Sequence, residues 1–308
     1  MSIIKVTVAS LKSLLIDPQL NLDRVVRTCR TGSEEGSRMV FLPELMLTGH
    51  GGHPKMMENA EPIPDGPLCQ TILKLSRELD ICICVGMAER TRSNVYNSQL
   101  VVDRGEYLGL QRKIYLSMDE YNFFAPGQSI EIFNLGEFKF GISICYDNHF
   151  PEMALIHGLN KVDLILAPYA GRAGIWPIEL TPEFCKKKIK AMQDSWRKTH
   201  SVRADDHNLF VLCNNAVGPS TKGLKDLDSY PKDYTTGIDP RDVIANHVGT
   251  VMGFDPTGEV FLETAVTDFV DEIITVDIDL NKRVADHNRS RNRQPNLLLR
   301  MIEKSVLK

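Results

Sequence analysis

The chain has 308 residues and a formal net charge of -4, with 36 basic and 40 acidic residues mixed along the sequence. This pattern leaves no basic stripe for nucleic acid or for an acidic membrane surface, so it favours a small-molecule substrate. No linker-like or low-complexity tract interrupts the sequence, and residues 1–308 are therefore predicted to form a single domain.

The N-terminus and the cysteines predict the compartment. Lys5 places a charge inside what would have to be the apolar part of a signal peptide, and no apolar run reaches about 18 residues. The seven cysteines are irregularly spaced, like neither a disulfide framework nor paired zinc knuckles. Cys82 and Cys84 lie two apart in an apolar run, which predicts core packing. A cytoplasmic protein that does not enter membranes is expected.

Apolar strands alternate with helical segments along the chain, which indicates an α/β architecture. One helix is predicted to start at Asn21 as N-cap, and another at Thr181 with Pro182 in its first turn. Phe184, Ile189, Met192 and Trp196 follow helical spacing in the second helix, and a packed stripe is the interpretation for them. Strands are predicted over residues 3–9, 39–42, 81–88, 97–103, 138–145, 163–167, 209–213, 249–254 and 272–278.

The segment from Pro219 to Asn246 has no clear period and many Asp, Lys, Gly and Pro residues. It is predicted to be a long excursion. Long loops of this kind often serve as lids or partner contacts.

Three reactive side chains follow predicted strands. Glu44 comes after Met39-Val-Phe-Leu-Pro, Lys113 stands where a strand gives way to a loop, and Cys145 ends the apolar run from Phe140. Each has a structural alternative: Glu44 as a turn carboxylate, Lys113 as a solvated edge residue and Cys145 as core. Because catalytic groups gather beyond the carboxyl ends of strands in α/β sheets, the three together suggest one site.

The three side chains together suit hydrolysis of a carbon-nitrogen bond. A thiol is a good nucleophile once deprotonated, a carboxylate can take its proton, and an ammonium can stabilise the oxyanion that forms. With this chemistry the sequence resembles the carbon-nitrogen hydrolases of the nitrilase superfamily, whose signature is a Glu-Lys-Cys triad in that chain order. The motifs that carry the resemblance are Phe41-Leu-Pro-Glu44-Leu-Met-Leu-Thr-Gly49, Arg112-Lys113-Ile-Tyr-Leu, Glu120 with Phe124-Ala-Pro-Gly127, Gly141-Ile-Ser-Ile-Cys145-Tyr-Asp-Asn-His-Phe-Pro-Glu152, and later blocks including Asp163-Leu-Ile-Leu-Ala-Pro168 and Asp271-Glu-Ile-Ile-Thr-Val-Asp277.

The resemblance implies a four-layer α-β-β-α sandwich with two mixed β-sheets, usually paired into a homodimer or a higher homo-oligomer. It also implies the roles of Cys145 as nucleophile, Glu44 as general base and Lys113 as oxyanion stabiliser. Glu120 would hold the lysine and help to place the substrate, and the backbone N–H of Tyr146 would complete the oxyanion hole. This chemistry needs neither a metal nor an organic cofactor.

Substrate-binding residues are predicted around the same motifs. Tyr146-Asp147 resembles the amidase and carbamoylase branches more than nitrilases, which favours a small amide or N-carbamoyl substrate. Arginines that bind carboxylates in several relatives are replaced here by Asn148 and His149, which puts a carboxylate clamp at that place in doubt. His149 and the neighbouring Phe150 are candidate pocket residues.

Three further residues are candidates for the pocket. Arg172 could supply a cation, although a solvated loop arginine is an equal alternative, and Trp176 either lines the pocket or packs on the sandwich. His50 is expected to shape the pocket rim. With His53 it could ligate a metal, but no Cys or acidic partner stands at matching spacing, so no metal site is predicted.

Two other functions stay open. A nitrilase that forms a carboxylic acid directly from a nitrile would use the same triad. A binding homologue could keep the fold without activity.

Overall fold

The computed structural model describes residues 3–117, 119–174, 181–221, 246–266, 268–283 and 294–305. The strands in these ranges are β1 (Ile3–Ser10), β2 (Met39–Phe41), β3 (Cys82–Arg90), β4 (Val95–Asp103), β5 (Glu106–Arg112), β6 (Ile132–Asn134), β7 (Lys139–Ile142), β8 (Leu164–Tyr169), β9 (Arg172–Gly174), β10 (Phe210–Asn215), β11 (Val217–Pro219), β12 (Asn246–Val248), β13 (Val251–Phe254), β14 (Val260–Glu263) and β15 (Glu272–Asp279). The α-helices are α1 (Pro18–Glu34), α2 (Lys55–Glu58), α3 (Pro67–Leu79), α4 (Pro151–Leu159), α5 (Pro182–Trp196), α6 (Val202–His207) and α7 (Pro295–Ser305).

The strands form two six-stranded sheets and a small third one. The first sheet has the order β15-β1-β2-β3-β4-β5, the second β14-β13-β10-β8-β7-β6, and the third β11-β12-β9. Both large sheets are mixed, because β1, β2 and β3 pair in parallel in the first and β7, β8 and β10 in the second, while the outer pairs are antiparallel.

The two large sheets pack face to face with helices on their outer faces. Apolar side chains of both sheets fill the seam between them, among them Val6, Val8, Phe41, Phe140, Leu166 and Leu212. Helices α1 and α3 cover the outer face of the first sheet. Helices α4, α5 and α6 contribute Ala154, Trp196 and Ala204 to the core on the outer face of the second. The predicted four-layer α-β-β-α sandwich is confirmed, and Cys82 and Cys84 lie in its seam as expected.

The layering brings several strand ends to one place. Strands β2 and β3 run in the same direction, and β5 shares that direction because two antiparallel steps separate it from β3. In the second sheet, β7, β8 and β10 likewise run together. The Asn214 side chain, near the end of β10, donates to the Phe41 carbonyl at the end of β2 over 3.2 Å. The carboxyl ends of the two central strand groups therefore meet.

Two predicted boundaries need correction. The first helix begins at Pro18 rather than after Asn21, because Asp17 accepts from the Leu20 N–H as N-cap and proline suits the first helical position. Asn21 is instead buried inside the helix and bonds the Leu14 carbonyl. The strand predicted to reach Cys145 ends at Ile142.

The second predicted helix start is confirmed. The Thr181 hydroxyl accepts from the Phe184 N–H, and Pro182 opens α5. Trp196 and Ile189 are buried on the inner face of that helix.

The predicted excursion from Pro219 to Asn246 lies mostly outside the described residues. Its two ends are described, and they pair as the antiparallel strands β11 and β12. The two ends of the excursion therefore lie side by side, and β12 also pairs with β9. Among the described segments, no helix is long and apolar enough to cross a membrane.

Candidate active site

Lys113 lies between two carboxylates at the shared strand ends. Its Nζ is 2.8 Å from Oε1 of Glu44 and 2.7 Å from Oε2 of Glu120. All three side chains are almost completely buried, at 1% exposure or less. We refer to these three residues as the charge centre. The Lys113 N–H also bonds the Asn97 carbonyl, which holds the lysine against β4.

The charges of the centre stabilise one another. Burial alone would lower the pKa of Lys113, but the negative charge that Cys145, Glu120 and Glu44 can carry raises it well above its usual range. Burial would likewise raise the pKa of Glu120, and the Lys113 ammonium and His50 hold it well below its usual range. Lys113 is therefore a fixed cation and Glu120 a fixed anion at neutral pH.

Further donors satisfy the two carboxylates. The Asn97 amide donates to Glu44 over 2.8 Å and to Glu120 over 3.1 Å. The Ala170 N–H, just after β8, donates to the other oxygen of Glu44 over 2.6 Å. Both the N–H and the hydroxyl of Ser117 donate to Glu120 at 2.8 Å. These bonds leave each carboxylate in one defined orientation.

Cys145 lies next to this centre in a tight turn. It opens a 3-10 helix, Cys145–His149, and its φ of 48° is in the left-handed region that non-glycine residues rarely adopt. Strain of this kind often marks a functional turn. The side chain is half-buried. Burial raises the pKa of its thiol well above the usual range, and the Glu44 charge acts in the same direction while Lys113 opposes it.

Asp147 connects the Cys145 turn to the Lys113 loop. One of its oxygens accepts from the N–H groups of Ile114 and Tyr115, at 3.1 and 2.8 Å. The other accepts from the Ile144 N–H at 3.0 Å. The residue is fully buried, and burial raises the pKa of its carboxyl to about 7. Asp147 thus fixes the segment after the lysine relative to the residue before the cysteine.

Glu44 is presented by a turn of similar strain. The residue after it, Leu45, has a φ of 49°. A side chain on Gly86 of β3 would bring a Cβ within 2.2 Å of the Leu45 nitrogen, so only glycine allows this turn to lie so close to the strand.

The residues after Cys145 occupy different surroundings. Asn148 is buried and donates to the Ser143 and Cys145 carbonyls, so it braces the turn. Tyr146 and His149 are exposed, and their rings pack at 4.9 Å. Phe150 stacks on Tyr115 with ring centroids 3.7 Å apart. These ring contacts form an aromatic cluster beside the turn rather than within the charge centre.

His50 and Arg172 contact Glu120 and the residue before it. The Nε2 of His50 is 3.6 Å from Oε1 of Glu120. The Nη2 of Arg172 is 2.6 Å from a carboxylate oxygen of Asp119, the residue before Glu120. Trp176 falls outside the described residues. His53 accepts from the Lys55 N–H. In the part of the chain that the structure describes, no group of three His, Cys, Asp or Glu side chains could hold a metal ion.

Several residues of this site were not found from the sequence. The main ones are Asn97, Asp147 as a connecting residue, the Ala170 N–H, and His247, whose ring meets that of His50 edge-on. A signal existed only for Asn97, because Asn97-Ser-Gln is a polar run in a strand that continues with the apolar residues Leu100, Val101 and Val102.

Comparison with known proteins agrees with the fold and the motifs. The carbon-nitrogen hydrolase family profile matches residues 5–287, nearly the whole chain. The chain therefore belongs to the carbon-nitrogen hydrolase family and is a hydrolase.

Individual relatives differ in their activities. A nitrilase from Pyrococcus abyssi is 32% identical over 179 residues, covering 55% of this chain and 68% of its own length. An N-carbamoylputrescine amidase from Solanum lycopersicum is 24% identical over 291 residues, covering 90% of this chain and 87% of its own. The structure resembles that of an amidase of the nitrilase superfamily from Nesterenkonia AN1, with a TM-score of 0.72, 17% identity and 96% of both chains covered. A mutant of that amidase carries the acetamide moiety of fluoroacetamide on its active-site cysteine.

Proposed function

We propose that the protein hydrolyses the C–N bond of a small amide or N-carbamoyl compound through an acyl-thioester on Cys145. The observation that carries this proposal is the position of Lys113 between Glu44 and Glu120 beside Cys145. A buried ammonium, a buried carboxylate and a thiol are what an acyl-transfer site needs for an oxyanion, a proton and a nucleophile. The covalent adduct on the cysteine of the Nesterenkonia amidase supports the assignment by likeness of fold.

In the first half of the reaction, the Cys145 sulfur attacks the carbonyl carbon and its proton passes to Glu44. Lys113 and the Tyr146 N–H hold the resulting oxyanion. The first N–H groups of a helix have no acceptor within it, and Tyr146 is the second residue of the 3-10 helix. The tetrahedral intermediate then breaks its C–N bond, and Glu44 returns the proton to the leaving nitrogen. Ammonia or an amine departs.

In the second half, water attacks the thioester carbon and Glu44 takes its proton. The C–S bond breaks, and the proton returns from Glu44 to the sulfur. Burial and the Glu44 charge both favour the neutral Cys145 thiol. The thiol proton is therefore transferred during the attack of the sulfur on the carbonyl carbon, and no thiolate needs to form beforehand. A general base accelerates such a reaction by roughly 100- to 10,000-fold, and one hydrogen-bond donor to the oxyanion accelerates it by roughly 100- to 1,000-fold.

The remaining residue roles are parts of the same proposal. Glu120 orients Lys113, as its two contacts with that lysine support. His50 and Arg172 are proposed to face the substrate. The homodimer, the single domain, the cytoplasmic location and the parts of Trp176, His149 and Phe150 in binding stay predictions.

A substrate panel tests the proposal. Purified enzyme is incubated with aliphatic amides, N-carbamoyl amines, N-carbamoyl amino acids and aliphatic nitriles, and ammonia release is measured. We expect turnover of an amide or carbamoyl compound, and a loss of at least about 10,000-fold in Cys145→Ala, because that variant lacks the nucleophile. Cys69→Ala removes another buried thiol, on helix α3 where it packs against the first sheet, and serves as the matched control.

Mass spectrometry of the quenched reaction should also show Cys145 acylated. Ammonia release from a nitrile but not from the corresponding amide would replace the proposal with a nitrilase. Turnover that persists in Cys145→Ala would exclude the thioester.

A further inference from the structure

A second set of polar side chains adjoins the charge centre, and its hydrogen bonds are incomplete. His50, Arg172 and His247 each have a buried nitrogen without a hydrogen-bond partner in the described structure, namely Nδ1 of both histidines and Nη1 of the arginine. We call these three residues the polar wall. Buried polar groups in folded proteins are almost always bonded, so three orphans side by side need an explanation.

The contacts of the wall place it next to the catalytic residues. The His50 ring lies 3.6 Å from Glu120, and the His247 ring meets it edge-on with centroids 5.8 Å apart. Arg172 lies two residues after Ala170, whose N–H bonds Glu44. A Cβ on Gly52, in the His50 loop, would come within 3.1 Å of Nη1 of Arg172, so this loop presses against the guanidinium.

The bonds that the wall does make decide which nitrogens carry hydrogen. The Nε2 of His247 is 3.2 Å from the His50 carbonyl, which can only accept, so we assign the proton to Nε2. Burial lowers the pKa of His247 to about 3, and the ring is therefore neutral at pH 7. Its Nδ1 is then a bare acceptor.

The other two residues also have unused groups. The Nε2 of His50 lies 3.6 Å from a carboxylate oxygen of Glu120, and its Nδ1 has no hydrogen-bond partner in the described structure. Arg172 uses Nη2 for Asp119, which leaves Nη1 with unused donors.

From this pattern, and on the basis of the proposed function, we infer that the wall binds a neutral group of the substrate that both donates and accepts hydrogen bonds, such as a second carboxamide or a ureido group. A carboxylate would bond Arg172 but would meet the lone pair on Nδ1 of His247. An ammonium would bond Nδ1 of His247 but would meet the Arg172 charge. An alkyl group would leave all three nitrogens unbonded, which is the costly arrangement.

Four amides that differ only at the distal end test this inference. Succinamide carries a second carboxamide, 4-methylpentanamide replaces it with an isopropyl group of the same shape, succinamate has a carboxylate, and 4-aminobutanamide has an ammonium. We expect kcat/KM for succinamide to exceed that for each of the others by about 10- to 100-fold, the worth of one to two hydrogen bonds, after a factor of two for its two equivalent amides.

Variants of the wall sharpen the test. A glutamine amide reaches the position of the imidazole Nε2 and an asparagine amide that of Nδ1. His247→Gln loses the acceptor at the Nδ1 position, so it should lower the ratio of kcat/KM for succinamide to that for 4-methylpentanamide by about tenfold. His247→Asn keeps an acceptor at that position and should retain more of this ratio. Arg172→Lys keeps a charge for Asp119 but loses the second nitrogen, so its ratio should also fall. Arg104→Lys, in an exposed ion pair with Asp80, is the matched control with an unchanged ratio.

Binding measurements separate this inference from the proposed function. Calorimetric titration of the four amides into Cys145→Ala should give the lowest Kd for succinamide, whether or not the wild type turns any of them over. Equal Kd values for succinamide and 4-methylpentanamide, or tightest binding of succinamate, would overturn the inference. Absent turnover with selective succinamide binding would overturn the proposed reaction alone.

Discussion

The charge centre and the polar wall adjoin each other, yet they differ in how completely their polar atoms are bonded. In the centre, the Lys113 ammonium and both carboxylates have bonds of 2.6 to 3.1 Å to protein groups. In the wall, each of His50, Arg172 and His247 keeps a buried nitrogen without a partner in the described chain.

This difference separates two tasks of one site. A centre whose bonds are all made within the protein keeps its geometry before substrate arrives, which is what stabilising a developing charge requires. A wall with unused bonds gains them when a complementary ligand arrives. Such groups favour the substrate that completes them and disfavour one that leaves them unpaired.

The largest effect on the contrast between the charge centre and the polar wall is expected when the cation of the charge centre is removed. Lys113→Met leaves two buried carboxylates without their partner, so we expect the free energy of unfolding to fall by about 3–5 kcal/mol. Turnover should fall by about 1,000-fold through the lost oxyanion contact. Urea unfolding and ammonia release measure the two effects.

Arg172→Lys provides the contrast in the wall. Its ion pair with Asp119 can re-form, so the free energy of unfolding should change by less than about 1 kcal/mol. A stability loss as large as that of Lys113→Met would show that the wall, too, is structural rather than reserved for a ligand.

The protonation of Cys145 offers the next test. Because the pKa of its thiol is raised by burial and by Glu44, the thiol should be protonated at neutral pH. Its alkylation by iodoacetamide should therefore accelerate by about tenfold per pH unit, or roughly 1,000-fold from pH 6 to pH 9. The rate is followed by mass spectrometry, with Cys145→Ala as the unlabelled reference. Fast, pH-independent labelling below pH 6 would instead indicate a standing thiolate.

A smaller effect is expected at Asp147, which positions both halves of the site. Asparagine keeps one acceptor oxygen and turns an NH₂ toward a backbone N–H, so Asp147→Asn should lower kcat by about 10- to 100-fold with little change in KM. Since the pKa of Asp147 is about 7, wild-type kcat should rise as pH increases through 7 and the carboxyl ionises. In Asp147→Asn, kcat should not rise through this pH range.

Asp103→Asn is the control for that experiment. It also removes a carboxylate, but one that pairs with Arg38 at the far end of β4. Its kcat and pH profile should match the wild type. An unchanged profile in Asp147→Asn would remove Asp147 from the positioning of the site.

The reactive residues could be predicted from the sequence because each follows an apolar run. Glu44 after Leu42-Pro43 and Cys145 after the β7 residues stand out as reactive types where a strand stops. Thr181-Pro182 predicted the start of α5 for a similarly local reason, since a cap and a first-turn proline act within four residues. At the first helix the same local rule points to Asn21, but the cap is Asp17, four residues earlier.

The bonds that tune these residues could not be predicted in this way. Lys113 is 69 residues from Glu44, and the Ala170 N–H that bonds Glu44 is 126 residues away. The length of chain between such partners carries no local signal of their pairing. Nor did any pattern show that Cys145 would adopt a left-handed φ three residues beyond its strand.

The sequence by itself determined the chemical class of this protein, because the proposed nucleophile, base and cation are identities of single residues in recognisable local motifs. The tertiary structure decided which polar atoms of the site are bonded within the protein and which are left for a ligand. That distinction depends on the packing of two sheets, which brings Asn97, Ala170 and Asp147 to the proposed catalytic residues and leaves nitrogens of the polar wall without a partner in the described chain.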